Sequence, residues 1–281
     1  MNQDLRAALL SVDPRLSRFD PLERIVLYDD FSHGLSGWCE LMRNYPPEAK
    51  SVFDIHPELR DHRPPMLSSM TMPDMGTHGA MTGTYALKIA SRPRAGHFSK
   101  SLKRITWVRR THYQVECYFT FKPEPASLDL GDKNVRAWGV SFDLHDDDHR
   151  YHLCLRYLNA YEGELQQKWQ YMAHGHIVPG VEGWPKDTFA DVPGGSQRLC
   201  YNETPTKLNW HYFRWLVDLE ERRHLELQCN DHRFDLRECE VYLRRPNPNL
   251  WCLLNLGFWV EADTDVRSFF FADSVLLSTR R

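Results

Sequence analysis

The sequence predicts an all-β fold, and two observations lead to that prediction. From residue 23 onward, apolar and polar residues alternate with a period of two in run after run, which is the pattern of strands that bury one face. Long polar or Pro/Gly-rich segments at 42–80 and 159–208 separate these runs. Only residues 2–10 have the spacing of a short amphipathic helix, so we expect a protein built almost entirely from strands.

The alternating runs predict nine strands in one domain. No internal repeat or low-complexity linker divides the chain, and strands from both ends are needed to complete the sheets. We therefore predict a single domain over 1–281, with a short N-terminal extension at 1–22 and a long, lid-like insertion at 159–208. The predicted strands are 23–31, 84–91, 112–122, 136–145, 150–158, 209–219, 223–229, 250–261 and 267–278.

Composition limits the kinds of function. With 42% apolar and 12% aromatic residues, the chain can bury a large core, and seven cysteines without CxxC spacing are expected to be reduced core residues. A net charge of −3 offers no basic face, so we expect no nucleic acid partner. No apolar run reaches the length of a membrane span, and the N-terminus is too interrupted for a signal peptide. This predicts a cytoplasmic protein without a membrane partner, and its oligomeric state stays open.

The stretch FDLHDDDHRYHLCLRYLN, residues 142–159, predicts a hairpin whose strands each have one apolar and one polar side. If both apolar sides enter one core, Phe142 lies opposite Leu153, and Asp143 then lies opposite His152. The three consecutive aspartates are left in the loop. Aspartate side chains bond nearby backbone amides, so they favour a turn here, and a metal cluster is the alternative.

Three stretches carry a resemblance to a known superfamily: NWHYFRWLVDLEERRHLELQCNDHRFDL (209–236), HYQVECYFTFK (112–122) and CLLNLGFWVEADTDVRSFFFADSVLLS (252–278). They resemble strands of the concanavalin A-like lectins and laminarinase-type glucanases. The resemblance implies a jelly-roll β-sandwich of two antiparallel sheets, with a concave face that binds sugar chains. It also suggests a bacterial family within that superfamily.

By this resemblance the concave face displays a set of polar and aromatic side chains, and the alternation also places them outside the core. The set is Glu116, Tyr118, Ser141, Asp143, His152, Arg156, Asn255 and Trp259. Such side chains suit a pyranose, which offers paired hydroxyls and an apolar C–H face. We therefore predict binding of a mono- or oligosaccharide in the concave cleft. The alternative is that Tyr118 and Trp259 belong to a second apolar core.

A sugar-processing enzyme is the alternative function. Retaining glucanases of the superfamily carry two glutamates with an aspartate between them on one cleft strand. The matching strand here, WGVSFDLHDD, has Gly139, Ser141, Asp143 and His145 in these slots and neither glutamate. A glycoside hydrolase or lyase would instead use Glu116, Asp143 and His152 as catalytic residues. Further groups at the edges are Glu203, Glu261, His174 and His176. A sandwich that only binds other proteins is a third hypothesis.

The resemblance also implies a structural calcium ion, although no cofactor is required for the fold. Its ligands would be Asp273, Gly83, and Asp29 or Asp30, all of which supply hard oxygen donors. The alternative is that Asp273 only accepts hydrogen bonds from the backbone of an adjacent turn.

Overall fold

The protein is a sandwich of two antiparallel sheets in a computed structural model. Within the described residues the chain forms sixteen strands and a short 3-10 helix, Pro14–Arg18. The described residues are 7–8, 11–40, 63–69, 79–106, 111–124, 131–146, 149–173, 189–199, 208–244 and 253–280. The all-β prediction is therefore confirmed.

The first sheet contains eight strands, among them the first and the last strand of the described residues. Its strands are β1 (Arg24–Asp29), β3 (Met66–Ser68), β4 (Ala86–Ala90), β6 (His112–Pro123), β11 (His211–Asp218), β12 (Arg223–Cys229), β13 (His232–Asp235) and β16 (Ser268–Thr279). In space they follow the order β13-β12-β11-β6-β16-β4-β3, and β1 pairs with β16 as well.

The second sheet also contains eight strands. They are β2 (Trp38–Glu40), β5 (Phe98–Thr106), β7 (Val135–Asp146), β8 (His149–Tyr161), β9 (Glu164–Met172), β10 (Phe189–Ser196), β14 (Tyr242–Arg244) and β15 (Leu253–Ala262). Their order is β10-β9-β8-β7-β15-β5-β2, and β14 pairs with β8.

The hydrophobic core lies between the two sheets. Aromatic side chains from both sheets meet there: the ring centroids of Phe119 on β6 and Trp138 on β7 are 4.0 Å apart. Phe142 on β7 stacks on Trp215 of β11 at 5.0 Å. Because side chains alternate along a strand, every second residue of these strands must point to the outer face of its sheet. The two outer faces are therefore where polar side chains collect.

The predicted hairpin forms with the predicted register. Phe142 pairs with Leu153 and Asp143 with His152 across β7 and β8. All nine predicted strands are present, with ends that differ by a few residues. The register was predictable because both apolar sides had to enter one core.

Two other predictions need correction or fall outside the described residues. The segment 159–208 is not a single lid, because Glu164–Met172 and Phe189–Ser196 extend the second sheet as β9 and β10. The N-terminal helix predicted at 2–10 lies mostly outside the described residues. Among the residues placed in the structure, none of the helical segments has the length and apolar character of a membrane span.

Candidate functional site

The second sheet gathers a row of polar side chains on its outer face. Asn255 on β15 pairs with Asp143 on β7, and Asp143 pairs with His152 on β8, so the three lie side by side. Two residues further along these strands, His145 pairs with Arg150. We call these five residues the Asp143 cluster. They point outward because the alternate residues of the same strands fill the core.

An ion pair is at the centre of the Asp143 cluster. Arg150 donates two hydrogen bonds to the Asp143 carboxylate, from Nε at 2.8 Å and from Nη2 at 2.7 Å. His145 Nε2 lies 3.5 Å from Asp143 Oδ1. Burial alone would raise the pKa of Asp143, but the charge of Arg150 and the hydrogen bonds from Arg150 and His145 hold it well below its usual range. Asp143 is therefore an ionised hydrogen-bond acceptor.

Two buried acceptor atoms in the cluster lack a hydrogen-bond partner among the described residues. They are Oδ1 of Asn255 and Nδ1 of His145. Asn255 is 7% exposed and His145 is 1% exposed. Because Nε2 of His145 faces the Asp143 carboxylate, the hydrogen is assigned to Nε2, which leaves Nδ1 as an acceptor. Buried polar atoms without a partner are uncommon in folded proteins and need a cause.

Two rows further along the same face, past the row of Gly257 and Ser141, the side chains are more apolar. Trp259 lies flat across Gly139 of the neighbouring strand, where an added Cβ would be 2.0 Å from Cζ2 of Trp259. Trp259 is 2% exposed and packs in a small apolar cluster with Cys154, Met172 and Tyr242. The alternative prediction of a second core thus describes the surroundings of Trp259 better than an open stacking platform does.

Two further predicted ligand-binding residues have polar partners on this face. Ser141 accepts a hydrogen bond of 2.7 Å from Lys100 on β5. Arg156 donates to Gln170 at 2.8 Å, and its guanidinium carbon is 3.8 Å from the ring centroid of Phe189. Burial lowers the pKa of Arg156, against the opposing charge of Glu261. Ser141 lies in the row next to the Asp143 cluster, and Arg156 lies one row further away, in the row of Gly139 and Trp259.

Glu116 and Tyr118 require a correction, because they do not share this face. They lie on β6, whose neighbours are β11 and β16 of the first sheet. Alternation along a strand shows which side chains leave the core but not which of two sheets the strand joins. Six of the eight predicted residues therefore share one face, and these two lie on the opposite side of the sandwich.

The chain itself supplies the partners of Glu116. Its carboxylate accepts hydrogen bonds from the backbone N–H of Asp20 at 2.8 Å, from the Tyr212 hydroxyl at 3.1 Å and from the Gln114 amide. Burial raises the pKa of Glu116 to about 7, against the lowering effect of these hydrogen bonds. Tyr118 packs on Phe19 at 5.7 Å. This side of the molecule is a structural contact with the N-terminal extension.

The residues expected to bind calcium are already engaged. The backbone N–H of Thr82 donates to Asp273 at 3.1 Å, and the Ser274 hydroxyl donates to it at 2.8 Å. Burial raises the pKa of Asp273, although these hydrogen bonds oppose the shift. Asp30 pairs with Arg15, and Gly83 directly follows Thr82 in the chain. Among the residues that the structure describes, no three His, Cys, Asp or Glu side chains converge as a metal site.

The edge residues named with the enzyme hypothesis do not enter the cluster. Glu261 pairs with Arg136 at 2.8 Å, one row beyond Trp259. Glu203, His174 and His176 lie outside the described residues. Sequence reasoning missed the part that Arg150 plays, although the predicted hairpin register, continued by two residues, places it opposite His145 and next to Asp143.

These features define the class of protein: a β-sandwich of two antiparallel eight-stranded sheets with a polar cluster on the outer face of one sheet. The chain belongs to the family described as Domain of unknown function (DUF6772), whose model matches residues 6–281. No curated protein matches the sequence.

Solved structures with similar folds include a cellulose induced protein, a lectin and an alginate lyase. The cellulose induced protein Cip1 is 13% identical, with 91% of this chain and 98% of that chain covered and a TM-score of 0.41. Lectin I-B4 from Griffonia simplicifolia is 9% identical, with 76% and 92% covered and a TM-score of 0.37. A variant of the alginate lyase Aly36B in complex with alginate trisaccharide is 13% identical, with 77% and 98% covered and a TM-score of 0.38. At these values the likeness concerns the general fold and says nothing about ligands.

Proposed function

We propose that the outer face of the second sheet binds a mono- or oligosaccharide through the Asp143 cluster. The observation that carries this proposal is the pair of buried acceptors, Asn255 Oδ1 and His145 Nδ1, that have no partner among the described residues. Leaving a buried acceptor unsatisfied costs about 1–3 kcal/mol, and a bound hydroxyl group would offset that cost. Asn255 and Asp143 are direct neighbours across the sheet.

The polarity of the cluster favours hydroxyl groups as the ligand atoms. A carboxylate accepts about four hydrogen bonds, and Asp143 has two from Arg150 and a close contact with His145. One acceptor position on Asp143, together with Asn255 Oδ1 and His145 Nδ1, thus forms a group that needs donors. The hydroxyls of a sugar are donors, whereas a carboxylate or phosphate ligand would bring only more acceptors.

The enzyme alternative has less support than binding. General acid catalysis needs a carboxyl group with a raised pKa, but Arg150 keeps Asp143 ionised. The second carboxylate named for that role, Glu116, is on the other sheet. Two carboxyl groups on either side of a glycosidic bond are therefore not assembled from the described residues. A histidine base, His145 or His152, would be the remaining route to a lyase.

Calorimetric titration with a panel of neutral mono- and oligosaccharides tests the proposal. We expect binding by the wild-type protein and an affinity about 5- to 10-fold lower for Asn255→Ala, because one hydrogen bond is worth about 1 kcal/mol. Asp235→Asn, on the exposed edge strand β13, is the control and should bind as the wild type does. If no sugar binds, or if Asn255→Ala binds with unchanged affinity while remaining folded, the proposal is wrong.

A further inference from the structure

The segment that precedes the first strand lies across the outer face of the first sheet. We call this segment, residues 16–22, the N-terminal strap. Leu16 and Phe19 are buried and pack with Leu276 of β16. Phe19 has an extended backbone, and its ring lies edge-to-face on Tyr118 of β6, with the centroids 5.7 Å apart. Two apolar side chains thus hold the strap against the sheet.

The sheet also binds the backbone of the N-terminal strap. Asp20 donates its backbone N–H to the Glu116 carboxylate at 2.8 Å, and its carbonyl oxygen accepts a hydrogen bond of 2.7 Å from the Gln114 amide. The backbone N–H of Leu22 donates to Oγ of Ser278 at 3.0 Å. Side chains of β6 and β16 therefore bind the main chain of the strap, and main-chain hydrogen bonds are a common source of affinity for extended peptides.

The side chain of Asp20 has its own partner on the sheet. Nη1 of Arg214 on β11 donates to the Asp20 carboxylate at 3.3 Å, and the same guanidinium pairs with Glu226. Tyr212, two residues before Arg214, donates to Glu116 at 3.1 Å and orients that carboxylate toward the strap. The face therefore has one position for an aromatic side chain and, next to it, one position for a carboxylate.

One residue of the N-terminal strap fits this face poorly. Nη1 and Nη2 of Arg18 are both buried, and neither has a hydrogen-bond partner among the described residues. The guanidinium lies 5.1 Å from the ring centroid of Tyr118, and Nε donates to the Arg15 carbonyl at 3.2 Å. Burying charged donors without acceptors is unfavourable. Because Arg18 belongs to the strap, water can hydrate these nitrogens once the strap leaves the sheet, so Arg18 weakens the binding of the strap.

We propose that the outer face of the first sheet is a peptide-binding site, which the N-terminal strap occupies as an exchangeable ligand of the same chain. The partner that fits is an extended peptide with an aromatic residue followed by aspartate, as in Phe19 and Asp20 of the strap. The strap precedes β1, so it can leave the face without breaking a strand pair. This site lies on the opposite side of the sandwich from the Asp143 cluster, and it does not depend on sugar binding.

A synthetic peptide with the strap sequence LSRFDPL and a fluorescent label tests the proposal on the full chain. Phe19→Ala/Asp20→Ala weakens the strap but leaves the face unchanged. By fluorescence anisotropy we expect this variant to bind the peptide at least about 10-fold more tightly than the wild type, in which the strap competes at a high effective concentration. A peptide with methionine in place of the arginine should bind about 5-fold more tightly still.

Two controls show whether the face recognises the expected pair of residues. A peptide with alanine in place of its phenylalanine and aspartate should not bind, and adding Arg214→Met to the double variant should abolish binding of the strap peptide. If the folded double variant does not bind the strap peptide, or binds the alanine peptide equally well, the proposal is wrong.

Amide hydrogen exchange gives a reading that does not depend on the folding of the double variant. In the wild type, the N–H groups of Asp20 and Leu22 should exchange at least about 10-fold faster than the amides of β6, because the strap opens while the sandwich stays folded. Arg18→Met should slow their exchange by about 5-fold, whereas Arg24→Met, at an exposed position of β1, should not change it. Exchange of both amides only through global unfolding, or no slowing in Arg18→Met, overturns the proposal.

Discussion

The outer faces of the two sheets look alike in sequence but differ in how their polar groups are satisfied. Each face alternates with the core and carries a buried carboxylate beside aromatic side chains. On the first sheet, Glu116 is fully buried and accepts three hydrogen bonds from Asp20, Gln114 and Tyr212. On the second sheet, Asn255 is almost as buried, yet its carbonyl oxygen has no partner among the described residues.

This difference shows that burial alone does not distinguish a structural cluster from a binding site. The N-terminal extension covers the first sheet and supplies a backbone donor to Glu116, so the partners of this carboxylate all come from the chain itself. The Asp143 cluster has a fixed ion pair, and beside it are two buried acceptors without a partner among the described residues, to which the proposed sugar would donate.

The largest expected effect comes from breaking the ion pair of the second sheet. Arg150→Ala leaves the Asp143 carboxylate buried without its counter-charge, which costs about 3 kcal/mol in the free energy of unfolding. Urea unfolding at neutral pH measures this loss. Arg237→Ala removes an arginine from an exposed pair with Asp235 and should leave the unfolding curve unchanged. Equal curves for the two variants would mean that the pair does not organise the cluster.

The second prediction concerns the first sheet, where the pKa of Glu116 makes stability depend on pH. The pKa is raised from 4.5 to about 7 in the folded protein, so the folded state binds more protons than the unfolded state between these values. The stabilising contribution of Glu116 is complete below pH 4.5 and is lost as the pH rises to 7. The loss amounts to about 3 kcal/mol, at about 1.4 kcal/mol for each pH unit.

Glu116→Gln removes this titration, so the free-energy difference between variant and wild type should shift by about 3 kcal/mol in favour of the variant as the pH rises through that window. Urea unfolding at a series of pH values measures it. The matched control is Glu164→Gln, because the Glu164 side chain is 78% exposed. The difference in unfolding free energy between this variant and the wild type should not change with pH. A flat difference for Glu116→Gln as well would show that the carboxylate is not held as the structure describes.

Much of the fold could be predicted from the sequence, since the apolar alternation of β7 and β8 permits one register only. The strand β5 was missed because Ser99 and Ser101 occupy its inward positions and hide the pattern that Val140 and Phe142 make obvious in β7. The strand β9 was missed in the same way, because glutamines and a lysine interrupt it.

The candidate site could be predicted only in part. The period-two alternation placed Asp143, His152 and Asn255 outside the core, and the hairpin register made Asp143 and His152 neighbours. The sheet to which Glu116 belongs depends on β6 pairing with β11 and β16, which are about a hundred residues or more away in the chain. Local patterns carry no information about such long-range pairings, so the two outer faces were merged into one.

The smallest expected effect concerns a histidine in the core, whose titration changes stability at acid pH. Removing that titration makes the pH dependence of the first sheet easier to measure. His224 on β12 is fully buried and stacks on Trp215 at 5.5 Å, and burial lowers its pKa from 6.5 to about 3. The unfolded state binds more protons than the folded state between these values, so stability falls as the pH drops below 6.5 and has fallen by about 2 kcal/mol at about pH 5. This slope opposes that of Glu116 and masks it between pH 4.5 and 6.5.

His224→Phe keeps the ring stacking but not the titration, so its urea unfolding profile should expose the rise in stability that Glu116 produces on acidification. His232→Phe, an exposed position on β13, should retain the wild-type profile. If His224→Phe follows the wild type at acid pH, the imidazole is not buried in its neutral form, and the acid profile cannot be assigned to the two faces of the sandwich.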